Sequence, residues 1–182
     1  QMVVVLKPLH ERGKIKRVVV STYQAASGGG RRGYDGLTAE AREYLDTWKP
    51  VEPRVHPVQL AFNCVPHIDV FQEMDYTKEE YKMVYETQKI MGDDSIAVSP
   101  TCVRVPVWYG HSESVNIETE KKITAEEARQ VLSAAPSVVV VDDVANNVYP
   151  TPLESNEKDE TMVGRIREDI TIANGLNLWI VS

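Results

Sequence analysis

The 182 residues are 42% hydrophobic, 26% charged and 7% aromatic, with a formal charge of −7; this is the composition of one packed domain and excludes a disordered, collagen-like or coiled-coil chain. The excess of acid removes the broad positive field that nonspecific nucleic-acid binding needs, and no apolar run approaches the roughly 20 residues that span a bilayer. Two cysteines, Cys64 and Cys102, are too few for a disulfide framework or a thiolate zinc site, so a reducing, cytoplasmic setting without a structural metal is expected. No charged-then-apolar leader opens the sequence, and the run Met2-Val3-Val4-Val5-Leu6 directly after Gln1 reads as a start in mid-structure.

Met2, Val5, Leu6 and Leu9 fall at i, i+3, i+4 and i+7, which predicts an amphipathic helix over 2–10 despite Pro8, ended by Gly13. Residues 16–23 are β-branched and aromatic and read as a strand, followed by a flexible turn at Ser27-Gly28-Gly29-Gly30. Thr38 is placed to cap a helix running to about Trp48, and the four prolines of 50–66 predict an extended connector ending in a short strand. Thr77-Lys78-Glu79-Glu80 and Thr124-Ala125-Glu126-Glu127 both fit the capping box, which starts helices ending at Met91 and Ala134. Strands are predicted over 96–107, 111–119, 137–142, 162–172 and 176–181. Three helices beyond the first and about six strands in irregular order predict an α+β domain: a mixed, largely antiparallel sheet with helices packed on one face. There is no internal repeat.

Arg104 and His111 fall on one strand-turn-strand unit. An arginine can hold a carboxylate through two parallel hydrogen bonds, and a histidine can move protons near neutral pH. Their separation of seven leaves the turn to decide whether they converge, and a surface arginine beside a satisfied histidine fits the spacing equally. Glu79 and Lys82 share a helix face at i, i+3, as a grip for an ammonium and an anion or as an ordinary ion pair. The glycines after Ser27 would let a ligand approach the backbone, although they do not form a G-x-G-x-x-G. Asn63-Cys64 sits in an apolar stretch and reads as an inert buried thiol, as does Cys102.

Taken in order, the segments 19–30 (VVSTYQAASGGG), 79–82 (EEYK) with 86–90 (ETQKI), 102–107 (CVRVPV) with Gly110-His111-Ser112, 149–152 (YPTP) and 163–167 (VGRIR) resemble the aspartate-β-semialdehyde dehydrogenase family along essentially the whole chain. The resemblance implies a domain like the C-terminal domain of glyceraldehyde-3-phosphate dehydrogenase. It further implies NADP-linked reductive dephosphorylation of aspartyl phosphate to aspartate semialdehyde through a cysteine thioester, a step toward lysine, threonine and methionine. Carried over, His111 is the acid/base, Arg104 holds the substrate carboxylate, Glu79 takes the amino group, Lys82 meets the phosphate, and Gln24 positions the substrate. Ser27 and Gly28 lie near the nicotinamide. The family's Asn-Cys nucleophile would precede Gln1, and its NADP-binding half would precede that, so residues 1–182 are expected to be the catalytic and dimerisation domain of a two-domain dehydrogenase, inactive alone. Its partners would be the substrate, phosphate, and a second copy in a homodimer or dimer of dimers. The alternatives are an enzyme similar to the N-acetyl-γ-glutamyl-phosphate reductases, and a dimerisation module without catalysis.

Overall fold

A computed structural model describes residues 1–182. The first helix, α1 (Met2–Gly13), buries Met2, Val5, Leu6 and Leu9, the stripe that the sequence predicts. Pro8 deprives the Val4 carbonyl of its helical donor, and Val4 lies on the exposed side, where water can supply one. Six strands follow in one sheet: β1 (Ile15–Gln24), β2 (Ala97–Arg104), β3 (Ser112–Thr119), β4 (Val138–Val140), β5 (Thr161–Glu168) and β6 (Gly175–Val181), in the order β2-β1-β3-β6-β5-β4. The three central pairings are antiparallel, while β1–β2 and β4–β5 at the edges are parallel. The fold is therefore the α+β, largely antiparallel arrangement expected.

Alternate residues of the strands build one face. Val18 and Val20, Val115 and Ile117, Val163 and Ile166, and Leu176, Leu178 and Ile180 pack with α1, α3 (Lys78–Met91) and α4 (Ala125–Ser133) in a single 20-residue core. The other face carries Arg17, Ser21, Tyr23, Ser114, Asn116, Asn177, Trp179 and Arg167, exposed or half-buried, and no helix packs across it. Two of the charged residues of 163–170 belong to this open face, Arg165 and Arg167, both exposed beside Ser114 and Trp179, while Glu168, opposite Leu176, pairs with Lys122 on the other side. No helix is long and apolar enough to cross a membrane.

The capping boxes locate two helices. Thr77 Oγ1 accepts from Glu80 N at 3.3 Å, and the Glu80 carboxylate accepts from Thr77 N at 2.8 Å. Gly92, with φ 71°, closes α3. At α4 only half the box forms: Thr124 accepts from Glu127 N, whereas the Glu127 carboxylate turns away to pair with Arg12 of α1. The helix expected from Thr38 begins eight residues earlier, as α2 (Gly30–Thr47). Two glycines inside it are contact points, since a Cβ at Gly33 would strike the Ala26 carbonyl and one at Gly36 would lie 2.7 Å from Val55. Thr38 is mid-helix and donates to Tyr34 O at 3.0 Å. The Ser27 turn is likewise regular, forming a 3₁₀ turn at Ala26–Gly29.

The connector after α2 is organised by Glu40, 1% exposed, whose carboxylate accepts from the backbone N–H groups of Arg54, Leu60 and Ala61 at 2.8 to 3.0 Å. The short strand expected there reduces to one bridge between Val65 and Arg104. Cys64 is exposed, against expectation: the chain turns at Phe62 (φ 59°), keeping Leu60, Ala61 and Val65 inside and sending Phe62, Asn63 and Cys64 out. A short helix, α5 (Pro152–Ser155), follows Tyr149-Pro150.

Candidate active site

Register places the site. Gln24, the last residue of β1, is opposite Arg104, the last of β2, and Thr22 is opposite both Cys102 and Glu113. The core face of three adjacent strands thus turns from Val to polar at one end of the sheet. The first turn of α3 lies over that end, fixed by Glu80, whose second oxygen accepts from Cys102 N at 3.0 Å. A cavity of about 410 Å³ opens there, lined by Gln1 at the start of α1, Thr22, Gln24, Glu79, Met83, Gly110, His111, Glu113 and Ser182.

Two hydrogen-bonded chains organise the polar groups. In the first, Glu79 accepts from Gln24 Nε2 at 3.1 Å and from Lys82 Nζ at 3.0 Å. Burial pushes the Glu79 carboxyl up, but these two bonds and the charges of Lys82 and Arg104 outweigh it and hold the group below its ordinary value. Glu79 is therefore ionised, and Lys82, raised by the same bond, is a cation. In the second chain, Arg104 NH1 donates to Ala25 O at 2.7 Å while Ala25 N donates to His111 Nδ1 at 3.2 Å. One residue's backbone therefore holds both side chains. Arg104 is 8% exposed, and Ala25 O is its single protein acceptor. Burial, then the Arg104 charge, lowers the pKa of His111. The ring is neutral near pH 7, and with Nδ1 accepting, its proton is on Nε2.

The 3₁₀ turn completes one wall. A Cβ at Gly28 would lie 2.7 Å from Arg104 NH1, whereas one at Gly29 would meet nothing within 4 Å. Ser27 is half-buried and Gly28 exposed, so the backbone here is open to a flat group laid against it. Beside it a second cavity of about 410 Å³ is lined by Ser27, Gly30, Arg31, Tyr34, Asp35 and Tyr109. These features fit the nicotinamide that the resemblance puts beside Ser27 and Gly28.

Of the seven sequence-selected residues, Gln24, Glu79 and His111 line this cavity, Lys82 and Arg104 are tied to its walls through Glu79 and Ala25, Ser27 lines the neighbouring cavity, and Gly28 lies against Arg104. Glu113 is the residue that sequence reasoning missed. It is 5% exposed, its Oε2 has no hydrogen-bond partner, and burial pushes its carboxyl up to about 7. The available signal is strand phase: Glu113 alternates with Val115 and Ile117, so a carboxyl occupies a core position. Neither cysteine can serve as a nucleophile in this cleft. Cys64 is exposed on the connector, and burial pushes the Cys102 thiol up to about 12.

Residues 6–182 match the family described as "Semialdehyde dehydrogenase, dimerisation domain". Over all 182 residues the chain is 53% identical to the aspartate-semialdehyde dehydrogenase of Aquifex aeolicus, of which it covers 54%. It is 50% identical to that of Legionella pneumophila, covering 52%. Among solved structures, aspartate semialdehyde dehydrogenase II of Vibrio cholerae, complexed with ASA, superposes with a TM-score of 0.95 at 44% identity over the whole chain and 53% of that protein. The chain spans about half the length of the curated relatives that it matches.

Proposed function

The chain belongs to the semialdehyde dehydrogenase dimerisation-domain family, and from that premise we propose that residues 1–182 are the substrate-binding, catalytic and dimerisation domain of a two-domain aspartate-semialdehyde dehydrogenase. The observation that carries the reading is that an ionised carboxylate and a neutral histidine line one cavity, with a buried guanidinium held next to the histidine by the Ala25 backbone. A small amino acid with a reactive carbonyl needs this set. The Arg104 guanidinium takes its α-carboxylate, and Glu79 takes its ammonium. An N-acetylated substrate would offer an amide in place of the ammonium and leave the Glu79 charge unanswered, which sets the glutamyl-phosphate reductase reading aside.

Gln24, tied to Glu79, fixes the substrate between sheet and helix, and Lys82, half-exposed at the rim, faces the phosphate. His111 Nε2 is the ring atom left to face the substrate's carbonyl oxygen, and it donates there as charge gathers. Taking up a second proton would cost the Ala25 bond beside a cationic Arg104, so His111 returns readily to its neutral form. NADP, when bound against Ser27 and Gly28, supplies the hydride acceptor or donor. The acyl-bearing thiol is not among these 182 residues, because Cys64 and Cys102 are both unsuitable, so the isolated chain has no turnover. A reducing, cytoplasmic setting and a role in making lysine, threonine and methionine belong to the same reading. So does pairing of two copies through the open face of the sheet.

The test joins the chain to a family cofactor-binding half bearing the Asn-Cys motif and measures phosphate-dependent reduction of NADP by L-aspartate semialdehyde. Turnover is expected, with Arg104→Leu and His111→Ala each lowering kcat/KM by at least 10²-fold. Preference for N-acetylglutamate semialdehyde, or turnover by residues 1–182 alone, would sink the assignment.

A further inference from the structure

The glycine turn has so far been tied to the cofactor, yet its closest constraint comes from a side chain. Gly28 follows Ala25 by three residues and donates its N–H to Ala25 O at 3.2 Å, closing the turn on the same carbonyl that receives Arg104 NH1. The guanidinium therefore lies against the turn, and a Cβ at position 28 would come within 2.7 Å of NH1, 3.4 Å of Cζ and 3.5 Å of NH2. No other atom is among the three nearest. Gly28 does not lie at positive φ, so its missing side chain is not demanded by backbone conformation. Neighbouring Gly29 has neither a positive φ nor a neighbour within 4 Å. Two adjacent glycines thus differ in one respect: only the first makes room for Arg104.

We propose that Gly28 is a positioning residue for Arg104: its bare backbone admits the guanidinium to the Ala25 carbonyl and so sets the direction in which the remaining N–H groups meet a substrate carboxylate. The inference rests on the carboxylate role proposed for Arg104. Because the obstructed atoms end a flexible side chain, alanine at 28 moves the guanidinium and leaves the fold intact.

The experiment uses the two-domain polypeptide and a double-mutant cycle of G28A and R104M, with G29A as control. G28A is expected to raise the KM for L-aspartate semialdehyde at least tenfold, and by a larger factor than the KM for NADP, whose nicotinamide meets the same turn. G29A should stay within twofold of the parent in both. In the R104M background G28A should add nothing, since the group that it displaces is gone. A rise confined to the NADP KM, no change in either KM, or additivity in the cycle overturns the proposal. A crystal structure of G28A reads the same point without turnover. Loss of the hydrogen bond from Arg104 to Ala25 O supports the proposal, and its retention overturns it. Were the parent polypeptide inactive on semialdehyde, the functional reading would fall while the crystal structure still decided the placement of Arg104.

Discussion

Glu113 and His111 stand two residues apart with opposite responses to pH. Burial raises the Glu113 pKa from an ordinary 4.5 to about 7, so the folded chain holds a proton there that the unfolded chain has released between those values. The stability this group contributes is complete below about pH 4.5 and is lost as pH rises through 7, a difference of about 3 kcal/mol at 1.36 kcal/mol per unit. Glu113→Gln should therefore melt higher than the parent at pH 8 and show much less advantage at pH 5, measured by calorimetry; equal gains at both would show that the carboxyl is not buried as described. His111 behaves in the reverse sense. Its folded pKa lies below 6.5, and protonation would break the Ala25 bond, so its contribution is present above pH 6.5 and is lost as pH falls through the folded value. The acid limb of kcat/KM in the two-domain polypeptide should accordingly fall below the ordinary histidine range, and a limb at or above 6.5 would contradict the geometry. The sequence makes Arg104 and His111 visible as residue types suited to the chemistry. What it hides is Ala25, whose backbone unites them, because a buried alanine has no side-chain signal.

At the level of elements, α3 and α2 show how differently helices declare themselves. The start and stop of α3 follow from local chemistry alone, Thr77 and Glu80 at one end and Gly92 at the other. Thr77→Ala should cost about 1 kcal/mol of stability. Because the same turn presents Glu79 and Lys82, it should also raise the semialdehyde KM, and calorimetry with steady-state kinetics checks both. The N-terminal half of α2 is illegible locally, since Gly28, Gly29, Gly30, Gly33 and Gly36 argue against a helix. The cause of the helix is tertiary: Gly33 and Gly36 are where the Ala26 backbone and Val55 come close. Gly33→Ala improves helix propensity by about 1 kcal/mol yet should still destabilise the chain, because the obstacle is a carbonyl and cannot rotate away. A rise in melting temperature would refute that account. Cys64 fails for a related reason: an apolar run around it is consistent with a strand until a left-handed residue at Phe62 turns three side chains outward.

In the molecule as a whole, the strands were readable and their partners largely were not. Alternation in β1, β3 and β6 marks the inward residues, but nothing local says that β1 pairs in parallel with β2 after 72 intervening residues, or that β4 joins β5 at the far edge. The uncovered face follows from that topology, since α1, α3 and α4 all serve the other side. If two copies pair through it, Ser21→Arg on β1, which adds an unanswered charge there, should shift sedimentation of the two-domain polypeptide from dimer to monomer. An unchanged dimer would place the interface elsewhere.

The last rung of the β3–β6 ladder joins His111 N to Ser182 O at 2.7 Å and Ser182 N to His111 O at 3.0 Å, while Gln1 lines the same cavity. A fluorophore placed on the side chain of residue 1 or 182 would therefore sit at the cleft mouth, against the histidine under study. The exposed turn at Glu157, Lys158 and Asp159, away from both hydrogen-bonded chains, is the better attachment point for a reporter meant to leave the cleft undisturbed.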